Sequence, residues 1–179
     1  MLTFVGGLYV RRDFPYRRDM RLPDWDYRLP GPYAITLCTE DRVHRFGTVR
    51  DGVMILNPIG EMVQSVWADM CREFPLVTLD AFVVMPNHVH AVLMLSSDDI
   101  AGNPELGTVV QRFKSIATTR YARGVHERGW LPFEGRLFQR NYYEHIVRDE
   151  RDLERCRAYI EANPANWNED PDNTELKAI

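Results

Sequence analysis

Apolar positions along the chain follow two rhythms that alternate with one another. Residues Tyr33 to Thr39, Val77 to Met85 and His88 to Leu95 are dense in branched and aromatic side chains and bounded by turn formers, a pattern that predicts strands. Pro86-Asn87 predicts a tight turn, so the strands on either side of it should pair. Behind Asn57-Pro58, the residues Ile59, Met62, Val63, Val66, Trp67, Met70 and Cys71 recur at helical spacing and predict a helix to about Phe74. A second helix is predicted over about Glu105 to Arg123, with Leu106, Val109, Val110, Phe113 and Ile116 on its buried side and Gly124 as its stop. Arg136 to Val147 reads as a fourth long strand, and Glu150 to Ala162 as a last helix halted before Pro164. A short hairpin strand near Val53 to Leu56 follows a turn-rich stretch holding Gly47 and Gly52.

Strand, helix, strand pair, helix, strand, helix is the order of an α+β protein: a ferredoxin-like or RRM-like antiparallel sheet with helices packed mainly on one face, the other face left for substrate. A chain of 179 residues can bury one substantial core, and no Ser/Gly-rich linker divides it. The principal domain is expected over residues 33–167. Residues 1–32 interleave Arg, Asp, Pro and aromatics without either rhythm, which predicts an N-terminal arm. Residues 168–179 are acidic and predict a frayed tail.

Composition narrows the function classes. No apolar run approaches the roughly 20 residues that span a bilayer, and the first ten residues lack a secretory pattern, so a cytoplasmic protein without a membrane partner is expected. Cys38, Cys71 and Cys156 are odd in number, far apart and set in apolar patterns, which suits buried reduced thiols. The net charge of −4 argues against an undirected nucleic-acid binder. Its distribution matters more: all but Lys114 and Lys177 of the 22 basic residues are arginines, clustered at Arg11, Arg12, Arg17, Arg18 and Arg21 and again at Arg112, Arg120, Arg123 and Arg128. Arginine's planar fork suits phosphates and guanine edges.

The chemistry concentrates in two fragments. On a strand, His88 and His90 point to the same side, roughly 7 Å apart along the chain, where two imidazoles can share one metal ion. On the last helix Tyr159 and Asn163 stand at i and i+4, so a phenol and an amide oxygen point together. Read singly, each pair is as consistent with core packing as with chemistry.

Jointly, His88-Val89-His90 and Tyr159-Ile160-Glu161-Ala162-Asn163-Pro164 resemble the His-hydrophobic-His superfamily of single-tyrosine transposases, and within it the REP-associated tyrosine transposases. The resemblance covers most of the chain, through Asp26-Tyr27, Gly31 to Thr39, Phe113-Lys114-Ser115 and Phe138-Gln139-Arg140-Asn141-Tyr142-Tyr143-Glu144-His145. Where relatives usually carry Trp before the glutamine, this chain has Phe138, which keeps an aromatic body and loses an indole donor.

The resemblance implies a metal-dependent endonuclease and strand transferase acting on single-stranded or hairpin DNA of REP type. Tyr159 would be the nucleophile, forming a 5′-phosphotyrosine, and His88, His90 and Asn163 would hold Mg2+ or Mn2+. The histidines on their own also admit zinc. Three neutral ligands leave the ion's charge uncompensated, and a phosphodiester completes such a site. Arg11, Arg12, Arg17, Arg18, Arg112, Lys114, Gln139, Arg140 and Tyr143 are the expected DNA contacts. Tyr142 and Tyr143 are rival nucleophiles and His145 a rival ligand or base. A monomer is expected, with a homodimer as the alternative. Two other functions stay open: a non-catalytic nucleic-acid-binding module of the same fold, and a phosphoesterase that activates water.

Overall fold

The computed structural model describes residues 2–5, 8–11, 22, 24–96 and 100–173, with backbone alone for 2–5 and 8–11. Its centre is a four-stranded antiparallel sheet. In chain order the strands are β1 (Leu2–Val5), β2 (Leu8–Arg11), β3 (Gly31–Cys38), β4 (Gly47–Arg50), β5 (Val53–Leu56), β6 (Val77–Val84), β7 (His88–Leu95) and β8 (Tyr143–Ile146), with helices α1 (Pro58–Glu73), α2 (Leu106–Arg128) and α3 (Glu150–Ala162). The main sheet runs β6-β7-β3-β8, and β1-β2 and β4-β5 form separate two-stranded hairpins. The expected α+β class with an antiparallel sheet is the observed one.

The central strand β7 explains how the sheet divides its two faces. Val89, Ala91, Leu93 and Leu95 join Val63, Val66, Trp67 and Met70 of α1 and Val109, Val110 and Phe113 of α2 in the larger core. The alternate side chain Val92 belongs instead to a smaller cluster with Leu153, Cys156 and Ile160 of α3. Two helices therefore cover one face and α3 covers part of the other, so the second face is not simply open. His88 and His90 share the period of Val92 and thus lie on the α3 face.

Helix α1 starts as expected: the Asn57 side chain accepts from the amides of Ile59 and Gly60 at 2.9 and 3.0 Å, with Pro58 at the first helical position. Helix α2 runs past Gly124 to Arg128 and is capped by Gly129 at φ 68°. Gly124 is a packing residue rather than a stop, because a Cβ there would come within 2.2 Å of the Trp130 ring.

Further expectations change. Cys71, expected on the buried stripe of α1, is exposed, because the stripe ends at Met70. The strand expected from Arg136 is only Tyr143–Ile146, with an isolated bridge between Phe138 and Thr39. The carbonyls of Gln139, Arg140 and Asn141 turn to the Lys114 ammonium at 2.8, 3.2 and 3.3 Å, and that direction takes them out of a ladder. The arm expected over residues 1–32 holds a β-hairpin, whose Leu2–Val5 and Leu8–Arg11 strands satisfy each other's backbone groups. The described part of the tail expected to fray after Trp167 folds back in a short 3-10 turn, Trp167–Glu169, and buries Asp170 and Asn173, while residues 174–179 lie outside the described residues.

Candidate active site

Backbone register brings the candidate ligands together. In the β3/β7 ladder Thr36 lies opposite His90 and Cys38 opposite His88, and in β6/β7 Val83 lies opposite His90. The imidazole centroids are 4.5 Å apart and nearly perpendicular at 74°. Both histidines are buried.

Each imidazole is held by its Nδ1. His88 Nδ1 lies 2.9 Å from Asn87 Oδ1. The Asn87 amide nitrogen donates to the carbonyls of Arg42 and Asp172 at 3.1 and 2.8 Å, so its oxygen is the acceptor and His88 carries its proton on Nδ1. His90 Nδ1 lies 2.7 Å from Thr36 Oγ1. The opposite nitrogens, His88 Nε2 and His90 Nε2, are buried without a hydrogen-bond partner, and so is Asn163 Oδ1. Among the described residues Glu40 and Trp67 also carry such atoms, so what singles these three out is that they lie together on the side chains expected as ligands, an arrangement that fits a cation. The residues present fit a divalent metal.

Helix α3 delivers the remaining groups. Its N-terminus is capped by Asp149, which accepts from the amide of Asp152 at 2.8 Å. Its apolar side rests on Val92 and Val147, and Arg157 clasps Asp80 of β6. So docked, Tyr159 lies edge-on to His90, with ring centroids 5.2 Å apart at 77°. Asn163, one helical turn on, lies beside His88, Tyr159 and Asp170.

Burial dominates the electrostatics. It holds His88 well below the usual imidazole range, helped by His90 and Arg42, and brings His90 down to about 4, so both imidazoles are neutral at pH 7. Burial and the nearby Asp170 carboxylate push the Tyr159 phenol up to about 12, with Asn163 partly offsetting them. Burial also raises Asp170 to about 6 against the opposing pull of Asn163 and Arg42.

The other expected residues divide. Tyr142 packs partly buried against the main core, whereas Tyr143, 38% exposed, lies opposite Thr36 and so stands on the histidine face at the edge strand. Gln139 is half-buried and Arg140 exposed beside it. His145 is engaged by Asp152 at 2.8 Å and is not among the groups at the imidazole pair. Arg112 pairs with Glu73 at 2.7 Å. Lys114, expected as a DNA contact, directs its ammonium to the carbonyls of the 139–141 loop. The Arg11 side chain and all of Arg12, Arg17 and Arg18 lie outside the described residues.

Sequence reading missed Asn87 and Thr36, which orient the imidazoles, and the Trp167 to Asn173 segment. Trp167 packs against His88 and His44 with centroids 6.0 and 5.6 Å away. Asn87, adjacent to His88, could have been suspected from position alone, but nothing in Asp170-Pro171-Asp172 distinguishes it from an exposed acidic loop.

Fold and site together define an α+β protein whose sheet presents a paired-histidine centre with a tyrosine set over it from the last helix. The chain belongs to the family described as Transposase IS200 like, which matches residues 36–163, and it is thus a transposase, a DNA-nicking enzyme. An uncharacterised protein of Haemophilus influenzae is 34% identical over 173 residues, covering 87% of this chain and 92% of that one. A second H. influenzae protein, provisionally named a REP-associated tyrosine transposase, is 24% identical over 139 residues, covering 78% and 73%. Among solved structures, a REP-associated tyrosine transposase bound to a REP hairpin shares the fold, with TM-score 0.57 and 20% identity over 87% of this chain and 74% of that one.

Proposed function

We propose that this protein nicks and rejoins single-stranded or hairpin DNA of REP type through a 5′-phosphotyrosine on Tyr159, using a divalent metal held by His88, His90 and Asn163. The observation that carries the reading is the meeting of the paired imidazoles, whose Nε2 atoms are buried without a hydrogen-bond partner, with Asn163 beside His88 and the Tyr159 ring against His90. Hairpin DNA as the substrate is supported by the relative solved on a REP hairpin.

The residues divide the work. Asn87 and Thr36 hold the imidazoles by Nδ1, which would leave both Nε2 atoms to hold the ion. When bound, Mg2+ or Mn2+ supplies Lewis acidity toward a nonbridging phosphate oxygen. Tyr159, protonated at rest, loses its proton as its oxygen bonds to phosphorus; the bond from phosphorus to the 3′-oxygen breaks and that oxygen leaves as a hydroxyl. Attack by another 3′-hydroxyl reverses the steps and rejoins strands without ATP. Arg140, Gln139 and Tyr143 border the same face and are the proposed DNA contacts, with Tyr143 placed to stack on a base. Tyrosine and histidines come from one chain, which supports a monomer as the working unit and residues 33–167, extended here to about 31–173, as the catalytic domain.

Labelled hairpin DNA incubated with the protein and Mn2+ should yield a protein-DNA adduct that survives denaturation. The adduct should vanish in Tyr159→Phe and persist in Tyr143→Phe. Undiminished cleavage by Tyr159→Phe would instead make the protein a water-activating phosphoesterase.

A further inference from the structure

Asp170 follows the short turn Trp167–Glu169, yet its carboxylate reaches the imidazole pair. One ligand atom each from His88, His90 and Asp170 lie within 4.8 Å of one another, and all three residues are buried. Ligands about 2.1 Å from one ion are about 3 Å apart when adjacent and about 4.2 Å apart when opposite. Three ligands of one ion include at least two adjacent pairs, so separations close by up to about 2 Å as each group moves about 1 Å toward a common centre, which is within side-chain adjustment.

The carboxylate's position is built by hydrogen bonds. The Asp170 amide donates to the Trp167 carbonyl at 3.1 Å, and the Asp172 amide donates to Asp170 Oδ1 at 2.7 Å. Asn87, which orients His88, also donates to the Asp172 carbonyl at 2.8 Å. One asparagine thus holds both a histidine and the segment that bears Asp170. A buried carboxylate is costly without a cation. The guanidinium that acts on it, Arg42, is itself ion-paired with Asp172.

We propose that Asp170 is a protein ligand of the divalent ion held by His88 and His90, supplied by the segment that follows the tyrosine helix. The proposal rests on the reading of His88, His90 and Asn163 as a metal centre. It adds one anionic, hard oxygen to a neutral ligand set, which offsets part of the ion's charge and lets the protein hold its ion before DNA arrives.

The test is Mn2+ binding to the full chain without DNA, followed by electron paramagnetic resonance. The unsubstituted protein should bind Mn2+, and Asp170→Asn should bind it at least about tenfold more weakly. Asp170→Cys should lose Mn2+ and take up Cd2+, with a thiolate-to-metal charge-transfer absorption absent from the unsubstituted protein and from Asp170→Asn. Mn2+ affinity unchanged in Asp170→Asn, or no such band in Asp170→Cys, overturns the proposal. His88→Ala separates the two levels: if it loses Mn2+ while the Asp170 variants keep it, only the role of Asp170 falls, and if it too binds unchanged, the metal centre itself is wrong. Should thermal unfolding reveal that Asp170→Asn does not fold, the cadmium band of Asp170→Cys decides.

Discussion

Arg157 grips Asp80 with both arms of its guanidinium, Nε and Nη2 donating to the two carboxylate oxygens at 2.9 and 2.7 Å. Arg157 lies two residues before the proposed nucleophile, and Asp80 lies where the β6/β7 register shifts between Leu79 and Phe82. A bidentate pair fixes angle as well as distance, so it sets how α3 is rotated over the histidine face. The apolar cluster beneath α3 supplies attraction but little rotational preference.

Asp80→Ala should therefore leave the protein folded and still able to bind Mn2+, while adduct formation falls by about tenfold to a hundredfold, because small misplacement of a nucleophile is expensive in rate. Single-turnover kinetics on hairpin DNA, with Mn2+ binding as the control, would check it. An undiminished rate would mean that the apolar contacts alone orient Tyr159.

Asn87→Ala is expected to weaken Mn2+ binding by about tenfold to a hundredfold, as loss of a group that orients a ligand usually does. Asn87 is fully buried and touches His88, Arg42 and Asp172, so thermal stability should fall along with affinity. Calorimetric titration with Mn2+ gives both enthalpy and affinity, and equal affinity in the variant would contradict the assigned tautomer of His88.

Lys114→Ala should destabilise the protein by about 1–3 kcal/mol, the range for carbonyls that lose a charged donor. Urea unfolding measures this. The salt dependence of DNA binding should keep its slope, because the ammonium is committed to the carbonyls of Gln139, Arg140 and Asn141. A slope lower by about one would make Lys114 a phosphate contact after all.

Gly124→Ala sets two effects against each other. Helix propensity favours alanine by about 1 kcal/mol, whereas overpacking costs about 1–3 kcal/mol. A Cβ 2.2 Å from Trp130 Cε3 cannot be accommodated unless the ring moves, and Trp130 is packed on Tyr121 with centroids 5.6 Å apart. The variant should be less stable in urea, by on the order of 1 kcal/mol. A gain in stability would mean that the indole shifts freely.

Much of this molecule was legible from local pattern. The helical repeat of Val63, Val66, Trp67 and Met70 specified a buried stripe, and the alternation through His88, His90 and Val92 specified a shared face, because side-chain direction follows from backbone period alone. The same reasoning placed Tyr159 and Asn163 together on α3. It overextended the strand before Tyr143, since the Lys114 ammonium that turns the carbonyls of residues 139–141 is about 25 residues away in sequence and leaves no local mark.

What residue order determined, then, was the set of elements and the chemistry each could carry: two imidazoles on one strand face, a phenol and an amide on one helix face. Tertiary structure alone decided that these faces meet, through Val92 against Leu153 and Ile160 and through Asp80 with Arg157. It alone brought Asp170 and Trp167 back to the histidines, because a hydrogen bond from Asn87 and the tilted packing of Trp167 on His88 join segments that no periodicity connects. Periodicity is a property of neighbouring residues, whereas a binding site is a property of where distant ones are held.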